Sequence, residues 1–135
     1  MMLLLCAAFA MSSLTLFGQG SQEDKPLPVT FSLNGGEMYK TWCASCHGEK
    51  GRGDGPTALA LKTRPADLTQ LSKKNGGNFP TDRVRSYIEG TASVSAHGSR
   101  EMPVWGTFFR TMGDEVTTTY RIVTLANYVA SLQVK

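Results

Sequence analysis

Apolar residues recur at helical spacing in separate parts of the chain, and nowhere do they alternate over a useful strand length. Near the C terminus, Tyr120, Val123, Leu125, Tyr128, Val129 and Leu132 form a stripe wide enough to pack on two partners. A helix is therefore predicted from Glu115 or Val116 to Leu132, with Asp114 as its cap. Its first turn is rich in threonine, at Thr117, Thr118 and Thr119. Val84, Tyr87 and Ile88 fall at i, i+3 and i+4, giving one buried face to a shorter helix over Asp82 to Glu89, capped by Thr81 and closed by Gly90. A third helix starts at Gly35 or Gly36, capped by Asn34, and runs through Trp42 into the pair Cys43 and Cys46. Two glycines at a helix start are poor helix formers, and imply that another helix crosses there with no side chain in the way; the last helix is the expected partner.

Between these helices the pattern predicts loops. Gly48 to Pro56 is glycine-rich, Lys73 to Phe79 is a Gly/Asn loop, and Thr107 to Met112 is a short connection with a helical turn. Leu59, Leu61 and Leu68 are expected to supply apolar surface. No internal repeat is present. The glycine-rich loop is not a phosphate cradle, because no strand precedes it and no Lys-Ser/Thr pair follows.

The segment from Met1 to Phe17 breaks with the rest, being almost wholly apolar and uncharged. Its length suits the apolar region of a secretory leader or a marginal membrane span. Gly18 and Gly20 stand at the −3 and −1 positions of a cut before Ser21, although no Lys or Arg precedes the apolar run. Residues 1–20 are thus expected to be a signal peptide or N-terminal membrane anchor, 21–33 a polar, proline-containing linker, and 34–135 one domain. Either form of leader puts that domain outside the cytoplasm, and the expected location is periplasmic.

The formal charge of +3 indicates no nucleic-acid surface, since Lys73, Lys74, Arg83 and Arg85 are scattered among Asp and Gly without a binding motif. Cysteine usage changes the picture more. Cys6 lies in the leader, and the other two stand in Cys43-Ala44-Ser45-Cys46-His47. On a helix, thiols three residues apart project from one face, where both can add to the vinyl groups of one porphyrin. His47 follows directly, placed to put a ring nitrogen on the iron. A structural zinc site would need four ligands, and only His97 and the leader's Cys6 remain to complete one. A thioredoxin-like dithiol would sit beside a βαβ pattern that this chain lacks. Tyr39, one turn before Cys43, shares its face.

Met102-Pro103-Val104-Trp105-Gly106 supplies the second half of the site. Met102 is the candidate sixth ligand, a soft thioether that favours Fe(II), and Trp105 joins it as a cofactor-binding residue. Met102 sits before a proline and between Gly98 and Gly106, in a loop-like stretch, which sets it apart from Met used as core filler. His97 is the rival ligand. Pro65, in Pro65-Ala66-Asp67-Leu68, is expected to lend its carbonyl to the free ring N–H of His47, with Pro56 as the alternative.

Taken together, Cys-x-x-Cys-His, the Gly-x-Gly-x-Gly-Pro loop, Pro-Ala-Asp-Leu, Met-Pro-x-Trp-Gly and the terminal Leu-Ala-Asn-Tyr-Val-x-Ser-Leu helix resemble the class I monohaem cytochromes c of bacteria. The resemblance runs from about Gly35 to Leu132. It implies a small all-α cytochrome c fold, three main helices and long loops wrapped around one covalently bound haem c. It also implies thioether attachment at Cys43 and Cys46, proximal His47, distal Met102, and a crossing where Gly35 and Tyr39 meet Leu125 and Tyr128. The function it implies is an electron carrier, not an enzyme, exchanging single electrons with redox protein partners and acting on no small-molecule substrate. Membrane attachment is expected only through an uncleaved N-terminal anchor. The alternatives are a peroxidase-like haem enzyme or ligand sensor with a displaceable sixth ligand, and the electron-transfer subunit of a larger dehydrogenase or oxidase complex.

Overall fold

The computed structural model describes residues 32–92 and 102–134. The leader, the cut before Ser21, the linker up to residue 31 and the rival ligand His97 lie outside the described residues. Among the described residues six helices follow in order: α1 (Gly35–Trp42), α2 (Ala44–His47), α3 (Leu71–Lys74), α4 (Thr81–Glu89), α5 (Trp105–Arg110) and α6 (Glu115–Ser131). Single 3₁₀ turns lie at Ala58–Ala60 and Leu68–Gln70, and no strand occurs among the described residues. Among the described residues the fold is all-α.

Local chemistry sets the helix ends. Asn34 Oδ1 accepts from Gly36 N at 2.9 Å and Glu37 N at 3.1 Å, and Asp114 Oδ1 accepts from Thr117 N at 2.7 Å, so α1 and α6 both open on satisfied amides. The cap hydrogen bonds also hold the exposed Asp114 carboxyl below its ordinary pKa. At α4 the expected cap is corrected: Thr81 is already helical and Pro80 is the capping residue. The Pro80 carbonyl accepts the first helical bond, from Val84 N at 3.0 Å, while its missing N–H costs nothing at a helix start. Gly90 closes α4 in the left-handed region, with φ 87°.

Helix α6 is the frame on which α1, α4 and α5 gather. A Cβ on Gly35 would come within 2.3 Å of Thr124 O, so only glycine permits the observed approach of α1. One turn along the crossing, the rings of Tyr39 and Tyr128 lie 5.0 Å apart. The buried face of α6 is centred on Thr118, Arg121, Ile122, Leu125, Ala126 and Val129, rotated from the expected stripe, and Tyr120 is 52% exposed. Three partners cover α6 where the stripe allowed for two, and the face that they bury includes polar side chains that an apolar stripe cannot register.

Other expectations are also corrected. The expected loop from Lys73 begins at Asn75, because Leu71–Lys74 continues the preceding 3₁₀ turn as helix. The expected connection at Thr107 to Met112 is mostly α5, nucleated by aromatic side chains packed against Trp42. Leu59 is fully exposed and contributes no core surface.

Candidate haem site

Cys43 interrupts the helix between α1 and α2, while its carbonyl accepts from His47 N at 2.8 Å and Cys46 N at 3.2 Å to start the next turn. The two thiols and the imidazole thereby stand on one short, hydrogen-bonded turn. Neither cysteine is disulfide-bonded. Cys46 Sγ lies 3.2 Å from Thr57 Oγ1, which donates to Ser45 O at 2.7 Å. Burial, and secondarily the neighbouring Cys46, pushes the Cys43 thiol up to about 12.

The glycine-rich loop wraps the proximal side. Gly48, Gly51 and Gly53 all have positive φ, and the loop is tied down by Gly53 N to His47 O at 2.8 Å, Gly55 N to Cys46 O at 3.1 Å and Leu68 N to Gly51 O at 2.7 Å. Tyr39 Oη donates to Gly48 O at 2.8 Å, joining α1 to the loop. Burial raises the Tyr39 hydroxyl far above its ordinary pKa and keeps it a donor.

His47 Nδ1 donates to Ala66 O at 3.0 Å. The expectation that Pro65 or Pro56 supplies this carbonyl is thus corrected by one residue. Pro65 O instead faces Gly53, where a Cβ would come within 2.3 Å of it; the next carbonyl along the extended chain is the one turned to the imidazole. Burial lowers the His47 pKa against the opposing pull of the Ala66 bond. Burial thus favours the neutral ring, and with Nδ1 donating, the Nε2 of that neutral form keeps its lone pair for a metal.

A cavity of about 700 Å³ opens beside this turn, within the range of cofactor pockets. The structure brings Cys43, Cys46, His47, Pro65, Met102 and Trp105 together on its wall. Met102, 37% exposed, lies in the segment that leads into α5. Two close approaches pin that segment against the end of α4. A Cβ on Gly90 would meet Val104 Cγ1 at 2.4 Å, and one on Gly106 would meet Glu89 O at 2.6 Å. Trp105 stacks on Phe109 at 6.0 Å and 26°, and lies 6.4 Å from Trp42, so α1 and α5 share one aromatic wall.

Ala66 and Trp42 are site residues that the sequence pattern did not single out. Trp42 directly precedes Cys43 and could have been found from that position; Ala66 acts through its backbone and carries no residue-type signal.

The donor chemistry fits a haem. Two thiols can form thioethers, an imidazole and a thioether can bind iron, and a largely apolar cavity can receive the macrocycle. Among the described residues no group of three or more His, Cys, Asp or Glu could hold a metal ion unaided. Comparison with known proteins points the same way: the family model described as "Cytochrome C oxidase, cbb3-type, subunit III" matches residues 33–118. No curated protein and no solved structure matches.

Proposed function

The chain belongs to the cytochrome c family described as cbb3-type cytochrome c oxidase subunit III, and from that premise we propose that it carries single electrons through one haem held between His47 and Met102. The family implies a covalently bound haem c and haem-based electron transfer. When bound, the haem supplies a one-electron Fe(III)/Fe(II) couple.

In this reading Cys43 and Cys46 form the two thioether bonds. His47 gives Nε2 to the iron while Ala66 O holds its ring by Nδ1. Met102 would supply its sulfur as the second protein ligand, a soft donor that would favour Fe(II) and leave no open position for small ligands. Trp105 and Pro65 line the cavity and keep water from the metal. The observation that carries the proposal is the convergence of these seven residues, from three separated stretches of sequence, on one largely apolar cavity. The apolar leader supports export to the periplasm, with redox proteins as partners. Among the described residues no helix is long and apolar enough to cross a membrane.

Met102→Ala tests the ligand assignment. The variant is expected to bind carbon monoxide when reduced and to have a lower midpoint potential, whereas the parent protein refuses carbon monoxide. A parent that binds the gas readily favours a haem enzyme or sensor, and a variant with unchanged spectrum and potential removes Met102 from the iron. The family model's description also favours a second reading, an electron-transfer subunit of an oxidase complex. Recovery of the native chain in a stable stoichiometric complex with integral membrane subunits distinguishes that reading from a free carrier.

A further inference from the structure

Helix α4 carries four charged side chains, Asp82, Arg83, Arg85 and Glu89, and of these only Arg83 lines the cavity, beside Val84, Tyr87 and Ile88. Arg83 is exposed, so its guanidinium keeps its charge at little cost where the cavity meets solvent and can meet a charged group carried by whatever fills the cavity. The protein itself offers little. The Arg83 guanidinium lies over the Tyr87 ring at 5.8 Å, and no carboxylate pairs with it among the described residues.

The rest of the lining repeats the imbalance. Among the described residues Arg64 and Lys74 are its other charged side chains, and no Asp or Glu lines it. Arg64 Nε is engaged by Gly53 O at 3.5 Å, and Lys74 acts on nearby Asp67, which leaves Arg83 as the cation least occupied by the protein. A haem brings two carboxylates into this cavity. Arginine meets a carboxylate with two parallel N–H donors, which fixes orientation as well as charge.

We propose that Arg83 is a cofactor-binding residue that seats a haem propionate, with Lys74 as a second cation toward the same pair of carboxylates. The role is to orient the macrocycle at the edge opposite its sulfur attachments and to hold positive charge near the iron, stabilising the reduced state. The inference rests on the haem reading above. Besides these cations, the titratable groups that line the cavity among the described residues are both thiols and His47, which the haem takes up, and the phenols of Tyr39 and Tyr87.

The test uses the holoprotein and its Arg83→Gln, Arg83→Lys and Lys40→Gln variants, Lys40 being an exposed cation outside the cavity. Haem content is first read from the denatured mass, so a failure to hold haem is seen separately from a failure of the Arg83 assignment. Midpoint potential is then followed against pH. Arg83→Gln is expected to lower the potential at high pH and to move its downward bend toward neutral pH, because the propionate loses the cation that keeps it ionised. Arg83→Lys should restore most of both, and Lys40→Gln should leave both unchanged. An Arg83→Gln potential and pH profile that coincide with the parent, or an equal shift in Lys40→Gln, overturns the proposal. Should Arg83→Gln retain no haem, Lys74→Gln must show the same directions of shift for the proposal to stand.

Discussion

One backbone carbonyl orients the imidazole of His47, and a glycine thirteen residues earlier in the chain decides where it points. Gly53 has φ +73°, and a Cβ there would come within 2.3 Å of Pro65 O, the carbonyl preceding Ala66 O. Both the backbone region and the contact penalise any side chain, and the atoms met are main-chain atoms that cannot swing away. Gly53→Ala is therefore expected to cost about 1–3 kcal/mol of stability and to loosen His47, read as a lower denaturant midpoint and a shifted potential; an unchanged midpoint would contradict this account of the proximal side. At this scale the sequence offers the cysteines, His47 and Met102 as candidates because a haem would demand particular side chains at particular spacing, and all four line one cavity. The acceptor was not, because every residue has a carbonyl. Only the path of the 48–56 loop selects Ala66 over Pro65.

Among the elements, the crossing of α1 and α6 is the contact that most constrains the helical frame. Replacing a helical glycine by alanine ordinarily gains up to about 1 kcal/mol of helix propensity. At Gly35 the new methyl would meet Thr124 O at 2.3 Å and Tyr128 Cβ at 3.1 Å, so overpacking, worth about 1–3 kcal/mol, outweighs the gain. Gly35→Ala should thus destabilise the holoprotein in chemical denaturation, and a stabilised variant would mean that the helices do not cross there. The paired glycines advertised this crossing in the sequence, and Asn34 and Asp114 advertised the helix starts, because capping and close approach each require a few residue types. The buried face of α6 was less legible. Its inner positions include Thr118 and Arg121, which an apolar pattern passes over, while Tyr120 looked buried and is half exposed. Similarly, α5 was read as a connection because six residues are too few to show a period; its aromatic side chains, packed on Trp42, account for it instead.

Across the whole molecule, sequence stretches some sixty residues apart meet on one cavity: the turn bearing Cys43, Cys46 and His47, and the segment bearing Met102 and Trp105. Helix α6 supports this meeting from behind, through Leu125 and Val129, and the glycine approaches at Gly90 and Gly106 fix the distal segment against α4. The all-α architecture and its three main helices followed from spacing and caps, whereas the depth of the cavity and the one-sided charge of its lining emerge only when the loops are folded over it. Every functional statement depends on that cavity receiving a macrocycle bonded to both sulfurs. The most direct measurement is the mass of the chain under denaturing conditions, after production in a host that matures c-type cytochromes. The mass of the polypeptide plus one haem, retained through unfolding, is the predicted result; a colourless chain with the mass of its amino acids alone contradicts the account.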